Sequence, residues 1–134
     1  MIVFADTMVQ ITHHREELRS VLRGLHQREE LSRVRRHSIP DLQLSTRVEM
    51  GGLRRTVNAH LSVIAAVSWK LADRLVRLPP GELYVVGNLF TFATLEKAVD
   101  LIYTGHVIIE EEAADDVCDL FASWGAPEIP ERLP

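Results

Sequence analysis

Leu18, Val21, Leu22 and Leu25 recur at the i, i+3, i+4, i+7 spacing that lines one helical face, while Arg15, Glu16, Arg19, Arg23 and Arg28 fall mostly off it. The spacing predicts a helix from about His13 to Leu31, with Thr12 a weak N-cap and Glu16 and Glu17 suited to the positive end of the helix dipole. Ahead of it, Met8-Val9-Gln10-Ile11-Thr12 has the partial alternation and β-branched content of a short strand. From Ser32 to Asp41 neither period is visible, and Pro40 disfavours helix in the residue before it, so an exposed loop is expected. Leu42 to Ser45 and Val48 to Met50 approximate alternation, Gly51-Gly52 is a turn signal, and Leu53 to Ala59 can return as the partner strand of a hairpin.

A second apolar stripe, Val63, Ile64, Val67, Leu71 and Leu75, faces away from Lys70, Asp73 and Arg74 and predicts one helix over Leu61 to Val76. Leu78-Pro79-Pro80-Gly81 ends it, because neither proline offers a backbone donor and glycine permits the turn. Glu82 to Gly87 reads as a short buried strand and Thr94 to Tyr103 as a helix stopped by Gly105. Val107 to Ile109 reads as a strand, Glu111 to Trp124 as a helix with an acidic first turn, and residues 125–134 as a tail. No repeat or low-complexity segment interrupts this order. The economical reading is a single α+β domain over residues 1–134, a small mixed sheet flanked by helices.

Composition adds bounds. A chain of 134 residues can bury roughly two thirds of the surface it exposes when unfolded, so no covalent staple is needed. Its 46% hydrophobic and 25% charged residues are ordinary for a globular domain. No apolar run approaches the ~20 residues of a membrane span, and Met1 to Phe4 is too short for a signal peptide, so cytosol or nucleus is the expected location. Cys118 stands alone, which rules out a disulfide within one chain and a cysteine-built zinc site; it reads as a small core residue. The net charge of -4 conceals an asymmetry: residues 15–55 carry ten Arg against six acids, whereas residues 82–134 carry eleven acids against one Lys and one Arg. A solvated mixed surface is the simpler reading, and association between opposite surfaces the alternative.

Candidate chemistry is sparse. His13 and His14 are adjacent and cannot both point at one ion from a regular helix or strand, and no ligand-spaced Cys or Asp surrounds them, so no metal is expected. No Gly-rich phosphate loop and no Gly-x-Ser-x-Gly elbow occur, and Ser68 falls within the predicted helix rather than on an exposed turn. The expectation is therefore a protein without catalytic residues or cofactor. Glu110, Glu111, Glu112, Asp115 and Asp116 occupy a helix N-terminus, where the dipole already favours carboxylates. Arg33, Arg35, Arg36, Arg54 and Arg55 form a basic group, but the acidic chain has no aromatic interleaving, and direct nucleic-acid binding is not expected. Trp124 can be core or interface; Trp69, one residue off the apolar stripe, can be buried or partly exposed.

Two segments carry a resemblance. Ala59-His60-Leu61-Ser62-Val63-Ile64-Ala65-Ala66-Val67-Ser68 is similar to the Ala-His-x-x-Val-Leu-Ala-Ala-x-Ser helix start of BTB/POZ domains. Leu101-Ile102-Tyr103-Thr104-Gly105-His106-Val107 is similar to their Phe-Ile-Tyr-Thr-Gly-x-Val turn, in the same order and spacing. The resemblance covers about Val9 to Trp124. Its N-terminal part, Val9 to His14, then Leu18, Leu22, Leu25 and Gln27 to Leu31, resembles the BTB domains that head zinc-finger transcription factors.

That resemblance implies a protein-interaction module, a homodimer whose leading strand crosses to the partner chain, and corepressor peptides as further partners. It implies a dimer interface at Val9, Ile11, Leu18, Leu22, Leu25 and Leu61, and a peptide groove at His14, Val21, Gly24, Leu25 and Arg28. His60 is expected to be a buried hydrogen-bonding group. The family usually places an Asp at the start of the hairpin's first strand and a basic residue after the Ala-His; no Asp lies between Leu42 and Glu49, and Leu61 follows His60, so that charge pair is expected to be absent. Leu71 replaces the usual Phe, and the link at residues 33–41 is longer than usual. The chain reaches Pro134 without the further helices of Cullin-binding relatives, so a regulator is the expected reading. A ligase substrate adaptor and a purely architectural self-association domain are the alternatives.

Overall fold

Leu42 and Leu44 point inward from β2 (Leu42–Thr46) with Gln43 exposed between them, the alternation of a strand with one face on a core. The computed structural model describes residues 8–13, 35–36, 38–46, 55–79, 81–86 and 90–132. The other strands are β1 (Met8–Thr12), β3 (Thr56–Ala59), β4 (Tyr84–Val86), β5 (His106–Glu110) and β6 (Glu131–Arg132). The hairpin expected from Gly51-Gly52 is present as an antiparallel pair in which Leu42 faces Ala59 and Leu44 faces Val57. The connecting residues 47–54 lie outside the described residues. On the other side of β2, β4 pairs in parallel, Leu44 with Tyr84 and Thr46 with Val86, giving the order β3-β2-β4. With neighbours on both edges, Ser45 and Thr46 are buried as well, and the Ser45 hydroxyl donates to the Arg55 carbonyl at 2.6 Å.

The single helix expected over Leu61 to Val76 is in fact two, α1 (Leu61–Ala65) and α2 (Trp69–Val76). Ser68 makes the break. Its backbone is extended, its hydroxyl accepts the Leu71 N–H at 2.9 Å as an N-cap, and the same hydroxyl donates to the Trp124 carbonyl. The apolar stripe nevertheless runs across both pieces: Val63, Ile64, Val67, Leu71 and Leu75 are all buried.

The helix α3 (Phe92–Thr104) is buried on most sides, through Leu95, Ala98, Val99, Leu101, Ile102 and Tyr103. Thr91 caps its start, and Gly105 ends it with φ 88°, a left-handed conformation that disfavours any residue with a Cβ. Strand β5 then runs directly into α4 (Glu111–Ser123), whose Ala114, Val117, Leu120 and Phe121 face the core while its acids face out. Trp124, left open between core and interface, is 2% exposed and packs edge-on against Phe121.

A second three-stranded sheet has the order β5-β1-β6. Val9 and Ile11 turn inward, opposite Ile109 and Val107, and Ile11 is fully buried. The expected tail contains a strand: Glu131 and Arg132 pair with Thr12 and Ile11, closing the second edge of β1. Arg132 also bonds to the Asp115 carboxylate and to the Glu111 carbonyl, so the strand is held from the side by α4. The described residues thus form a mixed α+β domain of two small sheets and four helices.

Candidate interaction site

The two segments that carry the family resemblance meet. Ala59-His60 leads from β3 into α1, and Tyr103 closes α3, 43 residues away. The Tyr103 hydroxyl accepts the His60 backbone N–H at 2.9 Å and lies 2.7 Å from His60 Nδ1. The Ser38 carbonyl, 3.1 Å from Nε2, can only accept, so Nε2 donates to it and Nδ1 is left to accept from the Tyr103 hydroxyl. His60 is therefore the expected buried hydrogen-bonding group, with both ring nitrogens engaged. Burial pushes the Tyr103 phenol up to about 12, against a smaller lowering by its bond to His60.

Arg35 covers the other side of this junction. Its guanidinium lies 5.0 Å from the centre of the Tyr103 ring and 2.7 Å from the Asp100 carboxylate. This corrects the expected loop over residues 32–41: Arg35 and Arg36 are helical, and Arg35 is pinned by contacts that no local periodicity reveals. Ser38 to Asp41 are exposed, as expected. Arg55 is likewise engaged, its guanidinium 4.3 Å from the centre of the Phe92 ring. Two members of the basic group thus rest on aromatic faces within the domain.

The expected absence of an Asp at the hairpin's start is also corrected. Asp41 stands immediately before β2, one residue ahead of the Leu42 to Glu49 stretch, and its Oδ1 accepts the Leu61 N–H at 2.7 Å. A carboxylate accepting from the first residue of a helix satisfies a donor that has no intrahelical partner. It binds backbone where a charge pair would bind a side chain, and this fits Leu61, an apolar residue, at the following position. Leu61 itself is half-buried against the core.

Of the expected dimer residues, Val9 is half-buried and Ile11 buried on β1, and both pair with β5 of their own chain. Leu18, Leu22 and Leu25, and the groove residues His14, Val21, Gly24, Leu25 and Arg28, lie outside the described residues. His13 lies at the exit of β1: its N–H donates to the Gly105 carbonyl at 3.0 Å, its Nε2 lies 3.2 Å from the Glu128 carbonyl, and its ring packs 4.8 Å from that of Phe121. An open cleft of about 720 Å³ lies here, between Thr12-His13 and Pro127 to Glu131. A second, of about 390 Å³, lies beside Asp41, Gln43, Asn58 and Glu82.

Among the described residues, no three His, Cys, Asp or Glu side chains are grouped to hold a metal ion. Cys118 is half-buried rather than core; its thiol lies 3.4 Å from the Pro130 carbonyl, and burial raises its pKa, which makes it a poorer nucleophile than an exposed cysteine. No helix among the described residues is long and apolar enough to cross a membrane. Comparison of the sequence with known protein families and with curated proteins finds no match.

Proposed function

We propose that this chain is a BTB/POZ-type interaction domain of a transcriptional regulator, acting as a homodimer that recruits corepressor peptides and carries out no catalysis itself. The observation that carries the reading is the His60–Tyr103 junction. Two segments that resemble the family's signatures, far apart in sequence, are joined by hydrogen bonds of 2.9 and 2.7 Å at the centre of the domain. The order β3-β2-β4 with a parallel β4, and the helices that follow it, are consistent with the same reading.

The homodimer forms by exchange of β1. In one chain β1 pairs antiparallel with β5 from Met8↔Glu110 to Thr12↔His106, and the same register is open to the β1 of a second copy. Exchange conserves every contact of that strand, including burial of Ile11, worth about 2 kcal/mol in either chain. What favours exchange is the apolar stripe Leu18, Leu22 and Leu25 that follows β1, a surface that a second copy of itself can cover.

Recruitment is assigned to a groove between chains at His14, Val21, Gly24, Leu25 and Arg28, with DNA contact left to other parts of the regulator, which acts in the nucleus. The test is capture of corepressor protein from nuclear extract by the dimer, with identification by mass spectrometry. Gly24→Gln should abolish capture while leaving the dimer intact, and Arg28→Ala should weaken it. Unchanged capture by both variants would overturn the recruiting role and leave architectural self-association as the better reading.

A further inference from the structure

The outer face of α2 is unusual for a small domain. Trp69 is 85% exposed and Val76 75%, and with Ala72 they fall at the i, i+3, i+7 spacing of one stripe. Single exposed apolar side chains need no explanation, but a tryptophan aligned with a valine two turns on makes a continuous ridge. Alongside it runs a second ridge, Lys70, Arg74 and Arg77, all exposed, of which Arg77 is paired with Asp73 at 3.4 Å, leaving Lys70 and Arg74 as its outward charge. The helix thus presents an apolar stripe with a basic border, and an occupant that fits it must be apolar and acidic.

The chain contains such a surface. On α4, Glu111, Glu112, Asp115, Asp116 and Asp119 are all exposed, five carboxylates within nine residues. The strand end carrying Met8 and Ile108, themselves more than half exposed, runs into this acidic turn and gives it an apolar shoulder. Within one chain the acidic first turns of α4 lie away from α2. The end of α4 is what abuts α2, through the Ser68–Trp124 bond, and thirteen residues of helix set Glu111 about 20 Å from that point. Residues 14–34 carry five Arg against four Glu and residues 47–54 two Arg against one Glu, the same sign as the ridge they would cover, and residues 1–7, though apolar, bring a single Asp against the five carboxylates of α4.

We propose that the outer face of α2 is a docking surface for the acidic face of α4 on a second copy of this chain. The contact is head-to-tail, since two different surfaces meet, so it can propagate from one copy to the next and build assemblies larger than a dimer. It goes beyond the exchange of β1, shares with it only the exposed strand end at Met8 and Ile108, and is sensitive to salt because its charges lie at the surface.

Sedimentation velocity of the full chain tests it, comparing wild type with two charge-reversed variants, Lys70→Glu with Arg74→Glu, and Asp116→Lys with Asp119→Lys. Wild type should grow beyond its basal unit between micromolar and submillimolar concentration at low salt, and return to it at high salt. Each variant alone should associate at least about tenfold more weakly. An equimolar mixture should recover association, because each variant then offers the surface complementary to the other. Trp69→Gln should weaken association while leaving the unfolding midpoint unchanged. Wild type of constant size at low salt, variants that associate like wild type, or a mixture that fails to recover would each overturn the proposal, as would a Trp69→Gln that lowers stability without weakening association. The basal unit is measured in the same runs: a monomeric basal unit would refute the exchanged dimer and leave the α2–α4 contact standing, so the two failures are distinguishable.

Discussion

Removing one oxygen atom tests the junction on which the functional reading rests. In Tyr103→Phe the ring keeps its place, since Tyr103 is 1% exposed and packs edge-on against His60 with centroids 5.9 Å apart. What disappears is the hydroxyl that accepts the His60 N–H and contacts Nδ1. Both groups are buried and neither can turn to water, so each loses its partner at about 1–3 kcal/mol, and the pair should cost about 2–6 kcal/mol. A cost of this size is a substantial part of the ~5–15 kcal/mol that holds a domain together. The assay is equilibrium unfolding in urea, followed by circular dichroism at fixed chain concentration, with the midpoint lowered and the slope unchanged. Tyr84→Phe, at a half-buried position, is the control. The reasoning also fixes a pH window. The Tyr103 phenol is raised to about 12 from an ordinary 10.0, so the neutral form is favoured by the folded state. That contribution is present in full below pH 10 and is lost as the pH rises through about 12. Wild type should therefore lose stability across this range, and Tyr103→Phe should lose less. A loss under about 0.5 kcal/mol for Tyr103→Phe, the scale of a neutral surface change, would refute the junction as described.

Ser68→Ala removes both the cap of α2 and the donor to the Trp124 carbonyl, and should lower unfolding stability by about 1–3 kcal/mol in the same urea assay. Gly105→Ala forces a Cβ into φ 88° and should lower the thermal midpoint, at a cost of about 1–2 kcal/mol. Exchange of β1 is read by pairing cysteines at directly opposed positions, Gln10→Cys with Ile108→Cys, in a Cys118→Ala background. Oxidation should give covalent dimers on a non-reducing gel, whereas purely intramolecular disulfides would place β1 in its own chain.

Much of the fold was legible because its apolar spacing is strong. The stripe of α4, the stop at Gly105 and the strand at Val107 to Ile109 all reflect local periodicity or a backbone need that only glycine meets well. The break at Ser68 was not legible, because Leu71 and Leu75 continue the stripe across it and the Trp124 carbonyl that claims the Ser68 hydroxyl lies 56 residues away. The strand Glu131–Arg132 has no strand-forming composition; it exists because β1 offers an edge and Asp115 holds Arg132. Asp41 is not legible as a helix-start acceptor because it follows Pro40 in what reads as a turn, and its role depends on where Leu61 falls in space. Arg35 is similar: it reads as one more loop cation until Tyr103 and Asp100 are brought beside it. At the candidate site, the buried role of His60 was legible from the resemblance, whereas the ridge on α2 was not, since nothing in the sequence decides whether Trp69 faces in or out.

The most direct test of the central claim is the mass of the chain in solution. Sedimentation equilibrium at micromolar concentration and high salt, where contacts between exposed charges are screened, isolates the basal unit. A homodimer joined by β1 and the apolar stripe at Leu18, Leu22 and Leu25 predicts twice the 15.2 kDa chain mass, with no dissociation on dilution through that range. A well-folded species at the mass of one chain would contradict it.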